Sequence, residues 1–310
     1  MGRTNADVVF AATETSIINV ETARSLVLQA QSSPSQGLWR VIVVEDADRL
    51  GESGANALLK AIEEPPEHTV WLLCAPSPED MIATIRSRCR HLGLRIPTAS
   101  AVADLLVREG VATPEVALEA ARAAQSHIGL ARALARDPQM RERRRAIITA
   151  PASVRSVGEA VMAADRLLET AKAQADAQVS ERNAREKAEL MRQLGMDEGE
   201  SATKASRTMI RQLEEDQKRR SKRALTDAID RALIDLLAIY RDVLMVQVGG
   251  DGELINTDLS DLVHQIAQDS TPRQTLARVD HIETARKRLV SNGNPLLVLE
   301  DMAISLRPQA

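Results

Sequence analysis

Two short runs of mostly β-branched and apolar residues, Val41–Val44 and Val70–Cys74, flank a stretch from Gly54 to Ile62 with apolar residues at helical spacing. Strand, helix and strand in that order predict a parallel β-α-β unit, because strands covered on both faces read as continuous apolar runs rather than alternating ones. Pro65-Pro66 marks the end of the helix, since the first proline disfavours helical backbone before it and the second removes another donor. Upstream, Val8–Phe10 and Ile17-Ile18 repeat the apolar pattern, and a helix is predicted over Val20–Ala30 with Asn19 as its N-cap. Downstream, a short helix ends in Ser87-Arg88-Cys89, and His91–Leu94 reads as one more strand.

The remainder of the chain is predicted to be helical. Pro97-Thr98 opens three short helices: Ser100–Glu109 stopped by Gly110, Pro114–Gln125 capped by Thr113, and Ile128–Arg136. Thr113 before Pro114 combines a capping hydroxyl with a residue suited to the first helical turn. Longer amphipathic helices follow over Val154–Ala173 and Ala224–Val248, the second with Leu233, Leu236, Leu237, Tyr240 and Leu244 on one side. Between them, Ala175–Arg223 lacks large apolar clusters. From Ser180 to Arg223 there are twelve Lys or Arg against nine Asp or Glu, which suits a solvated helical hairpin held by i,i+4 ion pairs and divided at Gly195 and Gly199. Its basic end, Lys218 to Arg223, is the one place where a phosphate-backbone contact fits. A last helix starts at Asn294-Pro295, with Leu296, Leu297, Leu299, Met302, Ala303 and Leu306 spread around much of its circumference. So apolar a helix requires partners.

Charge and composition narrow the chemistry. The 310 residues suffice for two or three domains, and a net charge of −4 supplies no global attraction for nucleic acid. Four aromatics (Phe10, Trp39, Trp71, Tyr240) provide no stacking platform for single strands. Cys74 and Cys89 lack metal or disulfide spacing and are expected to be small buried apolar residues. With no signal-peptide pattern and no apolar run of about 18 residues, a cytoplasmic location and no membrane contact are expected. Glu45, Asp46 and Asp48 leave the strand Val41–Val44 at its carboxyl end, where ligands of open α/β sheets bind and where a magnesium-holding acid of a nucleotide site would stand.

The segment NALLKAIEEPPEHTVWLLCAPSPEDMIATIRSRCR, Asn56 to Arg90, resembles the AAA+ module of bacterial clamp-loader subunits, the gamma/tau and delta-prime chains of DNA polymerase III. The resemblance implies that Arg88, in the Ser-Arg-Cys triplet, acts in trans as an arginine finger on ATP bound by the neighbouring subunit. A guanidinium is always charged, planar and able to bridge two phosphate oxygens. Several features depart from the ATPases of this family. No GxxxxGK[ST] occurs, so there is no loop of N–H groups and no lysine for phosphates. Glu45-Asp46 stands where hydrolysing members have Asp then Glu, and Ala75-Pro76 offers no side-chain donor where they have a sensing threonine.

These departures point to the delta-prime type, which shares the fold without hydrolysing ATP. The resemblance implies a partial AAA+ sheet over residues 1–96, a three-helix lid over 97–150, and an all-α collar over 151–310 carrying the charged insert at about 175–223. The start resembles the segment just before the Walker B strand, so the chain is expected to be truncated at its N-terminus or begun too late. No cofactor is expected on this chain, Glu45 and Asp46 being a degenerate Walker B pair, and no metal; ATP and magnesium would sit on neighbouring subunits. The implied partners are gamma/tau and delta subunits, the sliding clamp and, indirectly, primer-template DNA. In the family a sensor arginine is sometimes found in the third lid helix, but Gly129-Leu130-Ala131 occupies the matching stretch and adjacent Arg132 has no settled role. Two other readings stay open: a gamma/tau-type ATPase missing its P-loop region, and a non-replicative helical adaptor.

Overall fold

The computed structural model describes residues 5–11, 18–194 and 204–308. They fall into two compact units that divide between Leu94 and Arg95.

The first unit holds a three-stranded sheet in the order β1 (Val8–Ala11), β2 (Arg40–Val44), β3 (Thr69–Leu73), with both pairings parallel. Its crossovers are α1 (Val20–Ala30) and α2 (Glu52–Glu63), and α3 (Ala83–Arg86) follows β3. The β-branched run forms the central strand, as its pattern predicts, and Ile42 and Val44 are completely buried. α1 has the bounds and the cap read from the sequence, with the Asn19 side chain accepting from Thr22 N at 2.9 Å. Gly54 explains how closely α2 approaches. A Cβ there would lie 2.8 Å from the Ile18 carbonyl oxygen, and Ile18 is bridged to Leu50 across the same junction. Ile17, Gly195 and Gly199 lie outside the described residues.

The expected strand at His91–Leu94 does not form. These residues are exposed and bridge to nothing, and Leu92 and Leu94 face solvent. A strand exists through its neighbours, and no sheet edge receives this one.

The second unit begins with α4 (Ala99–Arg108), α5 (Pro114–Ala123) and α6 (Ile128–Arg136), packed around an alanine-rich core with Val102, Leu106 and Leu134. Thr113 takes the N-cap conformation but its side chain caps nothing, whereas His127 at the start of α6 accepts from Leu130 N through Nδ1 at 3.1 Å. α7 (Pro138–Ser153), α8 (Val157–Gln193), α9 (Lys204–Gln247), α10 (Ser260–Gln268), α11 (Pro272–Val290) and α12 (Pro295–Ser305) share a second core centred on Ile229, Leu233, Leu236, Ile239, Ile282 and Leu299. Asn294 caps α12 by accepting from Leu296 N and Leu297 N. Within α12 and its C-cap, Val298, Leu299, Met302 and Leu306 turn inward and Leu297 remains exposed.

The apolar and charged stretches expected as separate helices are continuous. α8 runs 37 residues and α9 runs 44. Ala160, Ala164, Leu168, Ala171, Ala175 and Val179 form the buried seam of α8, mostly small residues that let α9 come close. Beyond Val179 the two helices run antiparallel through polar contacts: Gln217 Nε2 donates to Asn183 O at 2.9 Å, and Arg220 Nη1 donates to Asn183 Oδ1 at 2.7 Å and Glu186 Oε2 at 2.8 Å. The i,i+4 pairs Arg182–Glu186, Arg185–Glu181 and Arg211–Glu215 line the outside, as the charge pattern predicts.

Candidate functional site

The first unit brings the carboxyl ends of its strands to one edge, as a parallel sheet must. Glu45 N donates to Ala11 O at 2.9 Å and Ala47 N donates to Cys74 O at 2.7 Å, so the exits of β1, β2 and β3 are tied together. Asp46 occupies the left-handed region, φ 54° and ψ 47°, which aspartate tolerates better than most residues. It lies 3.7 Å from Arg49. Asp48 keeps a buried Oδ1 without a hydrogen-bond partner among the described residues. Among the described residues no group of three or more His, Cys, Asp or Glu is arranged to hold a metal ion. At the end of β3, Cys74-Ala75-Pro76 presents no hydroxyl. Both cysteines are exposed, which corrects the expectation of burial. Cys74 lies just past the end of β3 and Cys89 in the bend after α3, and at element ends fewer neighbours cover a side chain.

Arg88 stands on the turn after α3. Ile85, fully buried one helical turn earlier, anchors that turn. The guanidinium is held at two of its nitrogens. Nε is paired with Glu63, the last residue of α2, while Nη1 donates to Thr84 O at 2.9 Å and to Ser87 Oγ at 3.3 Å. Nη2 makes no bond to any described residue. The Arg88 side chain is 38% exposed and that of Glu63 41%. The arrangement is therefore an oriented arginine with one nitrogen that no described residue occupies, able to donate to an external oxyanion without first breaking a bond. Glu63 lies in the Glu-Glu-Pro-Pro stretch that closes α2; sequence reading placed it at a helix end but not against Arg88.

A second anchoring carboxylate also escaped sequence reading. Asp7, buried just before β1, accepts from Ser35 N at 2.5 Å, Ser35 Oγ at 2.9 Å, Gln36 N at 2.7 Å and Gly37 N at 2.6 Å, with Arg40 at 3.7 Å. The backbone bond from Ser35 and its companions hold this carboxyl far below the usual carboxylate range, against the opposing effect of burial. The only sequence signal is the turn composition Ser-Pro-Ser-Gln-Gly at Ser33–Gly37. In the second unit, Arg132 is bound in bidentate fashion by Glu109, at 2.8 to 3.0 Å.

Residues 2–98 match the family model described as DNA polymerase III, delta subunit, and residues 203–307 match the one described as DNA polymerase III, delta subunit, C terminal. Together they span well over half of the chain. The chain belongs to the delta-prime-type subunit family of the DNA polymerase III clamp loader. It is 43% identical over 82 residues to DNA polymerase III subunit delta' of Yersinia pestis, a match covering 26% of this chain and 24% of that protein. It is 35% identical over 117 residues to subunit delta' of Escherichia coli K12, covering 38% and 35%. It is also 38% identical over 89 residues to subunit gamma/tau of Mycobacterium tuberculosis H37Rv, covering 29% and 15%. The chain thus spans 15 to 35% of the length of these curated relatives. Superposition on a DNA polymerase III gamma subunit-related protein from Thermotoga maritima covers 99% of this chain and 85% of that one at 17% identity and a TM-score of 0.46, too loose a likeness to argue from.

Proposed function

We propose that this clamp-loader family member is a non-hydrolysing subunit that positions the ATPase subunits of the loader and lends Arg88 to a neighbour's ATP. The observation that carries the reading is the Arg88 guanidinium, oriented through Nε and Nη1 with Nη2 left for a phosphate oxygen. Glu45-Asp46 in place of Asp-Glu, and Ala75-Pro76 with no side-chain donor to offer a phosphate, support the non-hydrolysing role. The match of residues 203–307 to the carboxyl-terminal family model of the delta type favours delta-prime over a gamma/tau ATPase. In this reading ATP and magnesium sit on gamma/tau subunits, delta completes the complex, and the assembly places the sliding clamp on primed DNA in the cytoplasm. Among the described residues no helix is long and apolar enough to cross a membrane.

Reconstituting the loader with variants tests the proposal. Arg88→Ala should assemble normally, because the side chain contributes to no core. The site facing this subunit should lose roughly 10³ to 10⁵ in turnover rate, the range for an arginine finger, and clamp loading should fall with it. Arg88→Lys should not rescue it, since an ammonium keeps the charge and loses the fork. Glu63→Ala should lower the same turnover to a smaller extent by freeing Nε, and should add nothing in an Arg88→Ala background. Full ATP turnover and clamp loading by the Arg88→Ala complex would overturn the assignment.

A further inference from the structure

The second unit contains a charge with no counter-ion among the described residues. Arg278 of α11 lies over the ring of Tyr240 of α9, its guanidinium carbon 5.8 Å from the ring centroid. Both residues are buried, Tyr240 to 4% exposure and Arg278 to 8%. Neither the phenol hydroxyl nor the guanidinium hydrogen-bonds or ion-pairs with any described residue. The contrast with Arg144, another buried arginine of this unit, is direct, because Arg144 has Asp235 at 3.1 Å and Asn256 at 2.6 Å. A guanidinium with only a ring face beside it keeps its hydrogen-bond donors free for solvent or for a ligand, and the cation–ring contact leaves most of its charge uncompensated.

Both groups line one cavity of about 340 Å³. Pro151, Leu262, Ile266 and Leu306 supply apolar wall, and the exposed Arg155 and Asp269 stand among its lining residues. Arg155 Nη1 is already committed to Ala152 O at 2.8 Å. Among the described lining residues, Arg278 and Tyr240 thus offer hydrogen-bond donors, and the one carboxylate, on the exposed Asp269, bonds to neither. Burial holds the Tyr240 phenol up at about 12, against the lowering effect of Arg278, so it stays protonated at neutral pH. A guanidinium fork matches a carboxylate in two bonds, the apolar walls suit a hydrocarbon or aromatic body, and Asp269 disfavours a second negative charge on the ligand.

We propose that this cavity is a binding site for a small monocarboxylate with an apolar body, its carboxylate received by Arg278 and the Tyr240 hydroxyl. The site is built wholly from residues of the second unit and does not rest on the clamp-loader role. The probes are benzoate, acetate and inorganic phosphate, titrated calorimetrically into the full chain. Benzoate should saturate at one site per chain, with acetate and phosphate weaker by roughly ten-fold or more. Arg278→Lys should weaken benzoate by at least about ten-fold through loss of the fork, Tyr240→Phe should weaken it several-fold while keeping the ring face, and Arg155→Ala should change it little. Arg278→Met should abolish binding. If that variant does not fold, Arg278→Lys and Tyr240→Phe, which preserve volume, decide the question. No saturable benzoate binding, equal affinity for phosphate, or binding unchanged in Arg278→Lys would overturn the proposal.

Discussion

Asp7 shows how one side chain can organise a loop far along the chain. Its carboxylate accepts three backbone N–H groups and a hydroxyl from Ser35 to Gly37, immediately before the central strand β2. With its folded-state pKa depressed, Asp7 contributes stability that is fully present above its unfolded value of about 4 and is lost as the pH falls through the lower folded value. Asp7→Asn should therefore melt at lower temperature than wild type at pH 7, and the gap should narrow as the pH is taken below about 4. Melting curves followed by circular dichroism between about pH 7 and pH 3 check this; a gap that widens on acidification would refute it. Arg88 illustrates the other direction of inference. Its place in the triplet was legible in the sequence, but its partner Glu63 lies 25 positions away on another helix and carries no local mark.

At the scale of elements, the α8–α9 hairpin changes its means of cohesion along its length. Near the core it is closed by alanines and Val179, and farther out by the layer of Asn183, Glu186, Gln217 and Arg220. Burial raises the Glu186 pKa, but the hydrogen bonds from Arg220 and Arg182 outweigh it and hold the carboxyl below the usual range. The Arg220 side chain is only 12% exposed. Arg220→Ala should leave the Asn183 acceptor unpaired and take from Glu186 one of its two arginines, costing about 1–3 kcal/mol locally. Hydrogen exchange checks this: amides of residues 180–194 and 207–222 should exchange faster while those around Leu233 and Leu236 keep their protection. Uniform loss of protection in both regions would mean that the hairpin and core open as one unit.

At the scale of the second unit, a buried polar network joins elements remote in sequence. Arg144 of α7 bonds Asp235 of α9 and Asn256 of the following loop. Asp242 of α9 accepts from Asn256 N at 2.8 Å and Nδ2 at 2.9 Å, and Arg231 reaches from Asp235 to Ala123 O at the end of α5. Asp235→Ala leaves Arg144 buried without its carboxylate and should cost about 3–5 kcal/mol, whereas replacing Arg144 and Asp235 together by leucine should cost far less. Urea unfolding checks this, with a lowered midpoint and little change in slope for the single variant. Equal destabilisation by the single and double variants would show that the pair itself, rather than the stranded charge, carries the stability.

The sequence by itself determined what depends on neighbours within a few residues: the β-branched strand β2, the Asn19 and Asn294 caps, the Pro295 start of α12, and the triplet that presents Arg88. Strand and helix periodicity and capping act over one or two turns, so local composition is enough to read them. Tertiary structure alone decided which distant groups meet. It paired Glu63 with Arg88 and Asp7 with Ser35–Gly37, joined Arg144 to Asp235, and brought Arg278 to Tyr240 with no counter-ion among the described residues. It also left His91–Leu94 without a strand partner, exposed both cysteines, and fused the apolar and charged stretches into the continuous helices α8 and α9. Sheet pairing, burial and ion pairing are set by the path of the whole chain, and a charge or a cysteine carries no periodic signal of what will finally stand beside it.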